Sequence, residues 1–185
     1  NGDGLANLIH SNGLAKFDNS DYIKNLKSEI DSKDNQKFDI LIANPPYSVK
    51  YFKTTLPYGA KCFDLFDGLT ENSNEIECLF IERAKQLIKK DGLVGIILPS
   101  SFLTNGGTYI KAREIILKYF EIKGIMSLDN NAFMATGTKT IILFMKRRDN
   151  ILWLEIKHLI EKFMEDHKDI TVNGIEKAFS TYVSD

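Results

Sequence analysis

Phe38-Asp39-Ile40-Leu41-Ile42-Ala43-Asn44-Pro45-Pro46-Tyr47 is the stretch on which the fold turns. Its first six residues form a short, mostly apolar run, and the next three stop that run abruptly. Proline donates nothing to a sheet ladder and restrains the residue before it. A strand therefore ends at Asn44, and a stiff loop begins at its carboxyl end.

Downstream, the apolar pattern changes period. Ile76, Leu79, Phe80, Ala84, Leu87 and Ile88 recur at helical spacing, which predicts a helix over Glu75–Lys90. Asn74 is the expected cap, and Asp91-Gly92 the expected stop. Leu93–Leu98 reads as a second buried strand, closed by Pro99. A second helix is expected over Thr108–Tyr119, burying Ile110, Ala112, Ile115, Ile116 and Tyr119. Two more strands follow, over Ile122–Leu128 and Thr138–Lys146, then a helix over Ile151–His167. Residues 18–37 are polar and read as a helix or loop excursion, and residues 48–74 as an irregular insertion.

This order of strands and helices is an α/β signature. Strands apolar throughout suit a sheet covered on both faces. Ligands in such folds bind outside the carboxyl ends of the strands, where the Asn44 loop lies. Residues 1–148 form one expected unit, and residues 149–185 a helical extension.

The bulk numbers set limits. Of 185 residues, 43% are hydrophobic and 26% charged, a globular balance that excludes a disordered chain. The longest apolar runs, such as Leu93–Leu98 and Ile141–Met145, are too short to span a bilayer. The formal net charge is −1, without the excess of basic residues usual in a protein that grips nucleic acid alone. Lys146-Arg147-Arg148 is a small basic cluster. Cys62 and Cys78 have no metal-type spacing and read as half-buried thiols of a reduced, cytoplasmic protein. No metal site is expected. The chain opens on Asn1 rather than Met, so a piece of a longer protein is expected.

The tetrapeptide has its own chemical logic. An exocyclic amine conjugated with an aromatic ring is a poor nucleophile, because its lone pair is delocalised. Two fixed acceptors can draw its N–H bonds out of the ring plane. The Asn44 side-chain oxygen and the Pro45 carbonyl form such a pair, and the two prolines aim that carbonyl. Tyr47 offers a flat face for a base, and such stacking is worth about 1–3 kcal/mol. No metal or covalent nucleophile is needed. The bland alternative is a turn that merely ends a strand.

With its context, the segment resembles motif IV of amino-group DNA methyltransferases. The rest follows in the same order. Glu77–Phe80 with Ile81–Ala84 resembles the helix after that motif in type I modification subunits, and Lys90–Leu103 the next strand with its Pro-Ser corner. Ile122–Leu128, then Ala132-Phe133, then Thr136–Phe144 resemble the closing antiparallel hairpin. The likeness covers roughly residues 38–148. It implies part of a three-layer, Rossmann-like fold that uses S-adenosyl-L-methionine, acting on the N6 amino group of adenine in DNA within a bacterial restriction–modification system.

It also implies roles. Asn44, Pro45, Pro46 and Tyr47 would be catalytic, with Tyr47 and Phe133 against a flipped base. Phe133 reads equally as a core residue of the hairpin. Asp3, in Asn1-Gly2-Asp3-Gly4, is similar to the acidic residue after the family's third strand and would stand with Asn44 on the cofactor side. Gly-Asp-Gly is also a plain turn. Implied partners are DNA, a specificity subunit and a restriction subunit.

The chain departs from the family in lacking the glycine-rich cofactor loop and the acidic residue that holds the ribose. Strands four to seven would then be present, with the fourth an exposed edge. That edge is expected to pair with further N-terminal sequence or with a second copy of the chain, and a bare edge would count against this. Residues 149–185 are too few for a DNA-reading domain. Three other readings stand beside this one: methylation of a protein glutamine amide, methylation of a guanine amino group in RNA, and a non-catalytic scaffold for a specificity subunit. The glutamine enzymes carry an acidic-proline segment after the tetrapeptide that Ser48–Leu69 lacks. Without its glycine loop, the chain should bind S-adenosyl-L-methionine weakly or not at all. Isothermal titration checks this, and micromolar binding would contradict it.

Overall fold

The computed structural model describes residues 12–16, 35–128 and 138–148, with scattered positions between 158 and 180. The chain divides into two compact units, Asn1–Asp149 and Asn150–Asp185. In the second, His158, Glu161, Lys162 and Glu165 are helical and exposed, and the Ser180 amide donates to Asp169 at 3.0 Å. The rest of the helix expected over Ile151–His167 lies outside the described residues, as do Asp3 and Phe133.

The first unit is built on a four-stranded sheet in the order β1-β2-β4-β3. The strands are β1 (Phe38–Ala43), β2 (Ile88–Pro99), β3 (Phe120–Ser127) and β4 (Thr140–Arg147). β1 runs parallel to β2, while β4 is antiparallel to both β2 and β3. Among the described residues the α-helices of this unit are α1 (Gly59–Cys62), α2 (Ile76–Leu87) and α3 (Thr108–Tyr119), with short 3-10 turns among them. Among the described residues, no helix is long and apolar enough to cross a membrane.

The core lies on one face of the sheet. Val94, Ile96 and Leu98 of β2 and Ile141, Leu143 and Met145 of β4 are all but fully buried, as are Leu79, Ile81 and Ala84 of α2 and Ala112 and Ile116 of α3. The opposite face is different. Ile40 and Ile42 are 62% and 87% exposed, and Leu93, Phe144 and Met126 are exposed as well. The register sets Ile40 beside Leu93, Gly95 beside Phe144 and Ile142 beside Met126, so these side chains share one face. The cover expected on both faces is therefore present on one only among the described residues. Among the described residues no strand pairs with the outer edge of β1.

Two elements differ from expectation. α2 stops at Leu87, not Lys90, and Ile88 is already extended, its amide bonded to the Ala84 carbonyl. The pairing with β1 skips from Ile88 to Leu93, and within that irregular stretch of β2 Asp91 is left-handed at φ 63°. A Cβ on Gly92 would stand 2.9 Å from the Asp39 carbonyl oxygen, so only glycine fits beside β1. The cap is Glu75, not Asn74, and it makes no side-chain capping bond. Second, residues 48–74 are more than an insertion. Phe52, Leu56, Cys62, Phe63, Leu65 and Leu69 are buried in the core. This segment covers the side of α2 that carries Glu82, Arg83 and Gln86, and α2 is buried from Glu77 to Gln86 apart from the partly buried Phe80.

In α3, Ile110 is 48% exposed, and Tyr109 takes the buried position instead. Both cysteines are fully buried and free, not half-buried.

Two substitutions test which face carries the core. Ile96→Ala should cost about 2–5 kcal/mol in urea unfolding. Ile42→Ala should stay within about 0.5 kcal/mol. Equal losses would mean that the buried face is misassigned.

Candidate active site

Because β1 and β2 are parallel and β4 is antiparallel to β2, one end of the sheet collects three chain corners. These are residues 44–48 after β1, residues 99–103 after β2, and residues 138–140 before β4. The Ser100 amide bonds to the Lys139 carbonyl at 2.9 Å, which joins the second corner to the third. The Leu128 amide bonds to the Thr140 carbonyl at 2.9 Å. Both anchors of the β3–β4 connection therefore stand at this end.

At the first corner Asn44 is exposed, Pro45 buried, Pro46 exposed and Tyr47 half-buried. The corner is thus rooted by one proline while Asn44 stays open to solvent. Ser48 follows in the left-handed region at φ 57°. Its amide donates to Glu77 Oε2 at 3.3 Å. Glu77 is fully buried on α2, and its Oε1 accepts from the Tyr109 hydroxyl at 2.7 Å. The Tyr109 ring meets Phe102 edge-on, with centroids 5.8 Å apart. Burial raises the Glu77 carboxyl above its ordinary range, with a small push from Glu75; hydrogen bonds from Tyr109 and from backbone amides oppose the rise. Burial and the neighbouring Glu77 push the Tyr109 hydroxyl up, so it donates as a neutral phenol.

A second buried carboxylate holds the next segment. Glu82 accepts from the Asp64 amide at 2.6 Å and the Leu65 amide at 3.1 Å. Gln86 Nε2 donates to the Cys62 carbonyl at 2.7 Å. Arg83 donates to the Ala15 carbonyl at 2.9 Å and lies over the Phe63 ring. Burial lowers its guanidinium to about 10. A helix buried on all sides must satisfy its polar side chains internally.

None of Glu77, Glu82 and Tyr109 was singled out from the sequence. One signal was available. Glu77, Phe80 and Ala84 stand at i, i+3 and i+7, which sets a carboxylate on the apolar stripe of α2.

Against known proteins, the model of the family described as N-6 DNA Methylase matches residues 6–185. The chain belongs to the N-6 DNA methylase family. It is 28% identical over 131 residues to an Escherichia coli protein named Type II restriction enzyme and methyltransferase RM.Eco57I, covering 66% of this chain and 13% of that one. It is 20% identical over 191 residues to the Type I restriction enzyme MpnII methylase subunit of Mycoplasma pneumoniae, covering 96% of this chain and 34% of that one. It thus spans about a third of these curated relatives' length, or less. Among solved structures, a modification subunit of a type I restriction enzyme from Vibrio vulnificus superposes with a TM-score of 0.50 at 20% identity, covering 62% of this chain and 24% of that one. That likeness bears on the fold, which is part of a Rossmann-like methyltransferase sheet.

Membership of the family implies S-adenosyl-L-methionine as the methyl donor. The residues after β1 and β2, 44–50 and 99–107, contain no carboxylate for ribose hydroxyls. These two corners therefore do not supply the cofactor's ribose-binding carboxylate. Among the described residues, no group of three or more His, Cys, Asp or Glu is placed to hold a metal.

Burial pushes the Glu82 carboxyl up to about 7 from its ordinary 4.5, against the pull of the Asp64 and Leu65 amides. A carboxyl raised in the folded state holds its proton more tightly there than in the unfolded chain. Its contribution to stability is fully present below the unfolded value and is lost as pH rises through the folded one. The unfolding free energy from urea titrations should therefore fall between about pH 4.5 and 8, by an amount on the order of 3 kcal/mol. Glu82→Gln should flatten that fall, leaving the share due to Glu77. Equal slopes in the two proteins would refute the assignment.

Proposed function

We propose that the protein containing this chain transfers a methyl group from S-adenosyl-L-methionine to the N6 amino group of adenine in DNA, within a restriction–modification system. The observation that carries the reading is the proline-stiffened corner Asn44-Pro45-Pro46-Tyr47, standing solvent-accessible at the carboxyl end of a parallel strand. Membership of a DNA methylase family supports it, as do relatives named as restriction–modification enzymes.

S-adenosyl-L-methionine supplies the methyl group. The chain's own part is to prepare the acceptor. The Asn44 side-chain oxygen and the Pro45 carbonyl each accept one N–H of the adenine amine. That turns the nitrogen lone pair away from the ring and towards the methyl carbon. Positive charge grows on the nitrogen as the bond forms, and both oxygens are already aimed at it. The methyl–sulfur bond of the donor would break as the nitrogen takes the methyl group, its electron pair staying on sulfur in the departing S-adenosyl-L-homocysteine, and one amine proton would pass to water. Tyr47 stacks on the extruded base, and Phe133 is the second aromatic of this reading. Asp3 is the acidic residue that this reading assigns, with Asn44, to the cofactor.

The partners in this reading are DNA, a specificity subunit that supplies sequence choice, and a restriction subunit. The near-neutral charge supports a division of labour in which other parts of the protein hold the phosphates. The open edge of β1 is where a further strand adds, from N-terminal sequence or from a second copy.

Asn44→Ala in the full-length protein should lower methylation of adenine-containing duplex by about 10²–10³-fold in kcat, the scale of removing one preorganised donor or acceptor. Its unfolding midpoint should not move, because Asn44 is exposed. Labelled S-adenosyl-L-methionine with nucleoside analysis of the product gives the readout. Full activity in Asn44→Ala would defeat the mechanism. Label found on guanine or on protein glutamine would redirect the substrate, and no transfer by the unaltered protein would favour the scaffold.

A further inference from the structure

We infer that Glu77 and Tyr109 are positioning residues for the Asn44–Tyr47 corner: their hydrogen-bonded pair fixes the backbone on its downstream side. The inference rests on the methyl-transfer reading above and extends it to residues outside the corner itself.

The corner needs two anchors. Upstream, the sheet ladder sets Ala43 opposite Ile96 of β2. Pro45 and Pro46 then carry no N–H and can form no ladder bond. Downstream, the Ser48 amide is held by Glu77 Oε2 at 3.3 Å. Ser48 sits at φ 57°, a left-handed conformation that a residue with a Cβ adopts only when its surroundings hold it there. The bond to Glu77 is such a restraint, and it fixes where the chain leaves Tyr47.

Glu77 is in turn held by Tyr109, whose hydroxyl donates to Oε1 at 2.7 Å. Tyr109 packs edge-on against Phe102 in the second corner, and Arg113 Nη1 donates to the Phe102 carbonyl at 2.7 Å. One buried carboxylate thus ties the corner after β1 to the corner after β2. The geometry calls for a carboxylate in particular. Two donors reach it from different elements, one to each oxygen. A glutamine of the same shape has a single acceptor oxygen and can satisfy only one of them. Glu77 touches neither of the oxygens that would face the amine, so its effect runs through the backbone.

The test uses the full-length protein with Glu77→Gln and Tyr109→Phe, read by amide hydrogen exchange and by steady-state methylation of duplex DNA. In Glu77→Gln, exchange at Ser48 should quicken about tenfold and kcat fall about tenfold, each the equivalent of one lost hydrogen bond. Exchange at Ile96 and Leu143 and the dissociation constant for S-adenosyl-L-methionine should stay as they were. Tyr109→Phe should change Ser48 exchange and kcat in the same sense by less. Should Glu77→Gln fail to fold, Tyr109→Phe removes only a hydroxyl and carries the test alone. Unchanged Ser48 exchange and unchanged kcat would overturn the inference. So would equal quickening at Ser48, Ile96 and Leu143, which would mark a purely structural role. Asn44→Ala separates the two readings. If it abolishes methylation while neither Glu77→Gln nor Tyr109→Phe changes anything, the positioning role alone is lost. If it leaves methylation intact, the methyl-transfer reading is lost, and Ser48 exchange still judges the anchor.

Discussion

The burial of α2 on every side is the constraint from which the rest of this unit follows. Ile81 and Ala84 lie on one side of the helix in the core it shares with the sheet, while Leu79, Glu82, Arg83 and Gln86 lie on the other, where Glu82, Arg83 and Gln86 meet residues 62–65. A helix between two layers cannot turn its polar residues to water. Each must find a partner inside, and unpaired groups there are costly. Glu77, Glu82, Arg83 and Gln86 find theirs in the backbone of segments that have little regular structure of their own. The polar residues of α2 therefore order the loops around it, and the corner after β1 is one of those loops.

This explains how a precise corner can rest on an edge strand. β1 pairs with β2 alone among the described strands, and one of its faces is exposed. An edge strand is a weak platform when only its ladder holds it. Here Pro45 is buried, and the chain is captured again at Ser48 by a group on α2. The corner is held by the helix layer as much as by the sheet. That layer belongs to the well-packed face, so the exposure of Ile40 and Ile42 on the other does not loosen it.

The sequence was legible where a single local rule governs. Two prolines end a strand, and β1 runs over Phe38–Ala43 as read. The period of the second helix gave α3 over Thr108–Tyr119, although Ile110 and Tyr109 exchange places between core and surface. The antiparallel hairpin of β3 and β4 was read to within two residues at each end. It was less legible where long-range contact overrides propensity. Ile88-Lys89-Lys90 carries two good helix formers, yet Ile88 is extended against Phe38 of β1, and residues 89–92 bulge out of that register through the left-handed Asp91 and a glycine that no other residue could replace. The segment 48–74 has no period at all, so nothing local revealed that six of its side chains enter the core. Glu77 and Glu82 were passed over for a related reason. A carboxylate among apolar residues reads as an exception until the backbone amides that bind it are known.

The electrostatics of the corner separate the chemistry from the grip on a large anion. Both acceptors assigned to the amine are neutral oxygens, one from an amide side chain and one from a backbone carbonyl. The buried carboxylate behind them spends its charge on Tyr109 and Ser48, not on the open end of the sheet. A net charge of −1 is no obstacle to such a device, since neutral acceptors need no basic surround to be poised. Holding a duplex does need one, because affinity for DNA comes mainly from phosphate contacts. Activating an amine and gripping a polyanion are different demands. In the proposed reading this unit serves the first, and its fixed points are hydrogen bonds to the backbone that do not depend on net charge.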